Sequence, residues 1–262
     1  MDGAVVESVS VPTAIGFELQ NERPAVVVAR FDSFAVISLG RTGQQWRGYA
    51  NHVRVDAGDG GLRAETVFDL LQVAAVQDSA LSANVWGRIG DETADTFGEA
   101  LAKTTGVAAG WEIVPSARPA SDKLQGHGFR FAAVPVRRGD IVDVSTLTWN
   151  GILSAVVGAD SVAAIVVSSP RVGAKANTTL LIPILRQDQA VDLGVTGPSI
   201  VLTESAGERR GSISSDAGAE LIVAVPLMTR ACRQKRAITL VGQVTDGLAV
   251  LGASLTSVFD LA

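Results

Sequence analysis

Runs of apolar residues separated by short polar turns dominate the chain and predict a mainly β protein. Residues 24–39 are rich in β-branched side chains, and 33–39 alternate loosely between small polar and apolar side chains, which predicts a pair of strands. After residue 128, apolar runs follow one another between Gly, Pro, Asp or Arg-rich turns, and the last run is 248–259. We interpret these runs as strands of an antiparallel β-sandwich or jelly-roll-like barrel.

Two segments with helical periodicity interrupt the β pattern. Over 62–80 the apolar residues recur at helical spacing, which predicts a helix whose buried positions are Val67, Leu70, Leu71, Ala74 and Ala75. A second helix is predicted over 94–104, with Asp91 and Thr93 as candidate caps and Gly106 just beyond its end. Between the two helices, residues 82–89 (SANVWGRI) predict a short strand.

The length of 262 residues fits one large domain or two small ones. We predict a single β-dominated domain over 1–262 with a helical insertion at about 61–110. Residues 115–127 are polar and contain two prolines, so they are predicted to form a loop or linker. No internal repeat is visible in the sequence.

Composition and charge narrow the class of protein. Hydrophobic residues make up 47% of the chain and aromatic residues 5%, so the core must consist of Val, Ala, Leu and Ile. A net charge of -5 argues against a chain whose main task is to neutralise phosphates. The single cysteine, Cys232, excludes an internal disulfide. The amino terminus has no secretory signal pattern, and no apolar window has the length of a membrane span, which predicts a soluble protein.

The chain has few residues with catalytic potential. His52 and His127 are the only histidines, and both lie in turn-like surroundings without a second histidine or carboxylate at metal-ligand spacing. We interpret them as solvated loop residues, and assign no catalytic residue, no metal site and no cofactor. A Ser, His and Asp set that assembles only in the fold stays open, although no G-x-S-x-G turn, phosphate loop or dinucleotide fingerprint is present.

Basic clusters and tryptophans are the candidate contact residues. Two basic turns are candidates for contact with nucleic acid or an acidic partner, and their members are Arg230, Arg233, Lys235, Arg236, Arg137 and Arg138. A solvated hairpin tip is the alternative interpretation of each. The tryptophans are spread along the chain, which favours core anchoring or subunit contact over base stacking, and they are Trp46, Trp86, Trp111 and Trp149.

The segment GRIGDE (87–92), with the helix that follows it, resembles the GRxGDDxxG segment of the PfkB sugar and nucleoside kinases. The resemblance covers about 60–107 and implies a doubly wound α/β fold and phosphoryl transfer. In that family a G-A-G-D segment near the carboxyl end supplies the catalytic base, and this chain has none; its nearest segments are 245–248 (TDGL) and 205–208 (SAGE). A kinase that has diverged at its carboxyl end is therefore an alternative function.

In broad character the chain resembles the jelly-roll coat proteins of viruses and phages, with strands linked by long turns and one or two helices. The resemblance implies a capsid subunit that binds itself, and viral nucleic acid or a second shell protein as further partners. It implies a location in the virion after assembly in the host cytoplasm. The first twenty residues contain no Lys or Arg, unlike the basic arm of many such proteins. A β-sandwich binding module of a tail or surface structure is a third alternative.

Overall fold

The computed structural model describes twelve stretches of the chain, which are 1–6, 23–42, 49–107, 138–143, 147–149, 163–168, 178–195, 199–202, 207–208, 221–233, 240–244 and 248–261. The strands are β1 (Ala4–Val6), β2 (Ala25–Arg30), β3 (Phe34–Thr42), β4 (His52–Val55), β5 (Thr66–Gln77), β6 (Val85–Arg88), β7 (Asp140–Val142), β8 (Leu147–Trp149), β9 (Ala163–Val166), β10 (Thr178–Arg186), β11 (Ser199–Leu202), β12 (Gly207–Glu208), β13 (Leu221–Ala224), β14 (Thr229–Arg233) and β15 (Leu240–Val244). The helices are α1 (Asp91–Thr105), α2 (Gln187–Asp192) and α3 (Leu248–Phe259), with 3-10 turns at Asp59–Gly61, Asp78–Ala80 and Val225–Leu227.

The predicted fold class is confirmed: the protein is mainly β, with two curled antiparallel sheets and few helices. We call the described residues of 1–107 the first unit and those of 138–261 the second unit. The first unit holds a six-stranded sheet in the order β4-β5-β3-β2-β1-β6. The second holds a nine-stranded sheet in the order β11-β13-β10-β9-β7-β15-β12, in which β14 pairs with β10 and β8.

The two sheets have the same connectivity. If β1 to β6 are matched with β7, β9, β10, β11, the pair β13 and β14, and β15, then every strand pairing of the first unit recurs in the second. Each unit ends in a helix, α1 after β6 and α3 after β15. The second unit adds β8 and β12 to this common plan.

The match extends to single residues. Val5 pairs with Val26 and Gly87, and the matching Ile141 pairs with Ile165 and Gly242. The register of the two pairings, β1 with β6 and β7 with β15, shifts by one residue at the same place, next to these glycines. Gly3 and Gly139, which precede β1 and β7, both have positive φ (74° and 83°). The two units therefore share one backbone design, and some matched residues are identical, such as Val6 and Val142 or Ala25 and Ala164.

Two predicted elements are wrong. The helix predicted over 62–80 is replaced by strand β5, which is buried along almost its whole length. A strand covered on both faces needs apolar residues at nearly every position, so a helix-like spacing can be picked out of its continuous apolar run. The strand predicted over 248–259 is helix α3, in which Leu251, Leu255 and Phe259 are buried at helical spacing.

The second predicted helix is confirmed and slightly longer, as α1 (Asp91–Thr105). Gly106 ends it in the left-handed conformation at φ 73°, which a residue with a Cβ rarely adopts. The predicted strand over 82–89 is confirmed as β6. The predicted linker 115–127 lies outside the described residues, and the single-domain organisation stays a prediction.

The main core joins the two units. One connected cluster of buried side chains contains Val5, Val26 and Phe68 from the first unit and their register matches Ile141, Ile165 and Val223 from the second. Two smaller clusters cover the opposite sheet faces, and they too contain matched residues, such as Ile37 and Leu181. None of the described helices is both long and apolar enough to cross a membrane.

Candidate functional site

An irregularity in β5 shapes the candidate site. The pairing of β5 with β3 shifts between Ser38 and Gly40, which leaves residues 69–72 out of the regular ladder. The neighbouring strand β4 pairs with β5 so that His52 lies opposite Asp69, and the Leu70 amide donates a 2.8 Å hydrogen bond to the Asn51 carbonyl. Strand irregularities of this kind re-aim side chains, and they are frequent beside active sites.

The carboxylate of Asp69 is held by three donors. Its Oδ1 accepts hydrogen bonds from Asn51 Nδ2 at 2.6 Å and from the Leu71 amide at 3.0 Å, and its Oδ2 accepts one from Gln72 Nε2 at 3.0 Å. Hydrogen bonds to a carboxylate are stronger than those between neutral groups. Asn51 and Gln72 are buried, so the carboxylate has a fixed position and orientation.

His52 lies beside this carboxylate. Its Nε2 is 3.9 Å from Asp69 Oδ2, and its side chain is only 8% exposed. The Tyr49 ring meets the imidazole edge-on, with ring centroids 5.0 Å apart. In the described part of the chain the buried Nδ1 of His52 has no hydrogen-bond partner. A buried polar atom without a partner is costly, so this nitrogen is a natural contact for a ligand.

A cation and an exposed aromatic ring flank the pair. Arg54 follows His52 by two residues on β4, so both side chains lie on the same face of the strand. Its guanidinium is half exposed and lies 3.5 Å from Asp56 and 3.9 Å from Glu65. Tyr49 is 49% exposed. We call Tyr49, Asn51, His52, Arg54, Asp69 and Gln72 the β4–β5 cluster.

The second unit does without this chemistry. Where His52 pairs with Asp69 in the first unit, Ser199 pairs with Ala224 in the second. Arg54 matches Val201, and Gln72 matches Leu227, which is fully buried in the 3-10 turn after β13. The same strands thus form with apolar or small residues, so the backbone design does not require the polar set.

Sequence reasoning missed this site. The interpretation of His52 as a solvated loop residue is wrong, because it lies on a strand with its ring covered. The carboxylate partner is far from it in sequence, and only the strand register brings the two together. The alternation of His52 and Arg54 with buried Val53 and Val55 was the one signal of a strand with a polar face. His127 lies outside the described residues.

Arg138 and Trp86 are the predicted contact residues whose side chains are described. Arg138 is partly buried, and its Nε donates a hydrogen bond to the Val167 carbonyl at 3.4 Å. A Cβ on Gly106 would collide with its guanidinium, which places the cation at the carboxyl end of α1, where a helix dipole favours positive charge. Burial lowers the pKa of Arg138 to about 10. Trp86 on β6 is half-buried under Arg63, whose guanidinium carbon is 5.6 Å from the ring centroid.

The other predicted contact residues are placed only in part. Arg230 and Arg233 belong to β14 and Trp149 to its neighbour β8. The remaining ones lie outside the described residues, and they are Arg137, Lys235, Arg236, Trp46 and Trp111. Contact with nucleic acid or with another subunit stays a prediction for the whole set.

The GRIGDE segment is a junction between strand and helix. Gly87 and Arg88 end β6, and Gly90 precedes α1. Asp59 holds the junction, since its Oδ1 accepts a hydrogen bond from the Gly90 amide at 2.9 Å and its Oδ2 accepts one from Thr93 Oγ1 at 2.6 Å. Every described strand pairing is antiparallel, unlike the parallel sheet that a PfkB kinase implies, and the kinase alternative is therefore wrong.

No known protein family and no curated protein matches the sequence. Among solved structures, the chain is similar to an endoribonuclease in complex with its cognate antitoxin from a mycobacterial species (17% identity, 43% of this chain and 98% of that one, TM-score 0.32). It is also similar to the Mycobacterium tuberculosis toxin MazF-mt6 (18% identity, 38% and 92%, TM-score 0.31). A third match is described as an Mtb toxin (18% identity, 36% and 94%, TM-score 0.28).

These findings correct the predicted function. The similar solved structures are toxins and endoribonucleases rather than shell proteins, so the prediction of a capsid or coat subunit is wrong. Viral nucleic acid and a second shell protein lose their support as partners with it. The β-sandwich module of a tail or surface structure rested on the same interpretation and is not retained.

Proposed function

We propose that the β4–β5 cluster is an acid–base site that acts on RNA. The observation that carries the proposal is the contrast between the two units: His52 faces Asp69 in the first, and Ser199 faces Ala224 at the matching positions of the second. A buried polar network costs stability unless every group is satisfied, and the second unit folds the same way without one. Function is the remaining reason to keep it.

The cluster contains an aromatic ring and a cation, which are groups that bind the bases and phosphates of single-stranded RNA. An exposed aromatic ring stacks on an unpaired base, and Tyr49 is exposed next to His52. Arg54 on the same strand face supplies a cation for a phosphate. Rotation of the Tyr49 side chain uncovers the imidazole, whose Nδ1 then gains a partner from the bound nucleotide.

The pair of His52 and Asp69 transfers a proton, and RNA provides its own nucleophile. His52 takes the proton from a ribose 2′-hydroxyl, and the 2′-oxygen forms a bond to the adjacent phosphorus. The bond from phosphorus to the 5′-oxygen breaks, and that oxygen takes a proton from water. The hydroxide that remains takes the proton from the His52 imidazolium, which restores the base. The products are a 2′,3′-cyclic phosphate and a free 5′-hydroxyl. Asp69, fixed by Asn51 and Gln72, lies 3.9 Å from Nε2 of His52 and attracts the imidazolium that forms when the ring takes the proton.

The experiment compares the purified chain with matched variants on a fluorescent single-stranded RNA. His52→Ser installs the residue that the second unit has, and we expect cleavage to fall by roughly 100-fold or more. Ser199→Ala, at the matching position of the second unit, is the control and keeps full activity. An oligonucleotide with 2′-hydrogen in place of each 2′-hydroxyl remains uncut. Equal rates for His52→Ser and wild type, or an RNA that stays intact with the wild type, would refute the proposal.

We also propose that the chain self-associates, as predicted from the sequence. Support comes from apolar side chains outside the β4–β5 cluster that are exposed in the described part of the chain, namely Val85, Val191 and Val250, whose burial in a subunit contact would remove them from water. Light scattering after size-exclusion chromatography is expected to show a mass that rises with protein concentration. A constant monomer mass over a wide range of loading concentrations would contradict self-association.

A further inference from the structure

The contact between the two units is reciprocal. Strand β5 packs against β14, which is its own counterpart in the second unit. Strand β3 packs on the 3-10 turn at Val225–Leu227, and β10, the counterpart of β3, packs on β5. In a twofold contact each surface meets its own copy, so residue i touches j and j touches i. The pattern of contacts here has that property.

The terminal helices follow the same plan, apart from an additional contact of α3 with β2. Helix α1 packs on β4 and β5, and α3 packs on β11 and the 3-10 turn at Val225–Leu227, which are the matching places. The helix sequences are similar over five residues, FGEAL at 97–101 and LGASL at 251–255. Phe97 and Leu101 are buried, as are Leu251 and Leu255.

One hydrogen bond at the centre of the contact departs from the symmetry. The Ala75 amide donates to the hydroxyl of Thr229 at 3.3 Å, and both groups are buried. By register, Thr229 matches Ala74 and Ala75 matches Arg230. The reciprocal bond would need a hydroxyl on Ala74, so it cannot form. The bond can thus form between a first and a second unit but not between two first units.

We propose that the chain is a dimer folded into one polypeptide: two copies of one domain face each other across a pseudo-twofold axis between β5 and β14. The first unit therefore binds a second unit in preference to another first unit. This pairing is independent of the proposed activity on RNA.

The test cuts the folded, full-length chain. A protease recognition sequence is inserted in the predicted linker at 115–127, and the purified protein is cleaved there. We expect the two fragments to keep the elution volume of the uncut chain, and native mass spectrometry to show first and second units in equal numbers. Fragments that separate under native conditions, or pairs of two first units, would overturn the proposal.

A second measurement on the uncut chain covers the case in which cleavage unfolds the protein. Thr229→Ala removes the bond on the axis, and we expect its thermal midpoint to fall by about 2–4 °C, the shift that a loss of about 1 kcal/mol gives in a protein of this size. Thr96→Ala is the matched control, because the Thr96 hydroxyl is exposed and bonds only within its own helix in the described structure. Equal midpoints for the two variants, together with unfolding on cleavage, would rule the proposal out.

Discussion

Asn51 donates a 2.6 Å hydrogen bond to Asp69, from the residue before an edge strand to a carboxylate in the neighbouring strand. We expect Asn51→Ala to lower the free energy of unfolding by about 1–3 kcal/mol, since it leaves a carboxylate oxygen with one donor fewer. Urea denaturation measures the loss. In a double-mutant cycle, Asn51→Ala should lower the free energy of unfolding less in the Asp69→Ala variant than in the wild type. Strictly additive losses would show that the two side chains are not coupled.

Ser38 carries a buried hydroxyl that has no hydrogen-bond partner in the described part of the chain. The matching residue of the second unit is Ile182, which confirms that the position tolerates an apolar side chain. Ser38→Ala should therefore raise the free energy of unfolding by about 1 kcal/mol, because it removes the cost of an unsatisfied polar group. A lower melting temperature for the variant would show that the hydroxyl has a stabilising partner.

Alanine substitutions at Gly98, inside α1, and at Gly106, just beyond its end, should change the free energy of unfolding in opposite directions. Gly106→Ala places a Cβ at φ 73° and against the Arg138 guanidinium, and we expect a loss of more than about 1 kcal/mol. Gly98 lies inside α1, and a Cβ there would meet the Asp260 carbonyl oxygen at an ordinary 3.7 Å. Gly98→Ala should gain about 0.5–1 kcal/mol from helix propensity. Chemical denaturation of both variants tests the pair, and equal signs would contradict it.

Arg138 should make stability depend on pH at the alkaline end. Burial lowers its pKa to about 10 in the folded protein, below its value in the unfolded chain, so above about pH 10 the unfolded chain binds more protons. The free energy of unfolding of the wild type, relative to Arg138→Met, should then be constant from pH 6 to 9 and rise as the pH passes about 10. A difference that falls over this range would show that the charged form is favoured by folding.

The fold class could be predicted because apolar runs and turn residues are local signals, and α1 because its polar and apolar residues alternate at helical spacing. Strand β5 could not, since burial on both faces removes the alternation that distinguishes a strand. The apolar composition of 248–259 hid a helix for a related reason. Both errors arise where tertiary contacts, rather than local pattern, decide the structure.

Neither the candidate site nor the repeat could be predicted from local patterns in the sequence. Asp69 and His52 come together only through the register of β4 on β5. The two units share strand order and pairing, while matched positions such as Asp69 and Ala224 differ in chemistry. The amino-acid sequence by itself therefore did not reveal the repeat. Backbone hydrogen bonding can be preserved by many different side chains, and it leaves little trace in the sequence.

The presence of two matched sheets on one polypeptide also changes what a single mutation does. In an assembly of identical subunits each substitution occurs twice, so a residue that suits one place must be tolerated at its twin. Here a substitution changes only one of the two sheets, so Asp69 can exist without a second carboxylate at Ala224. The arrangement lets one half specialise while the other conserves the scaffold.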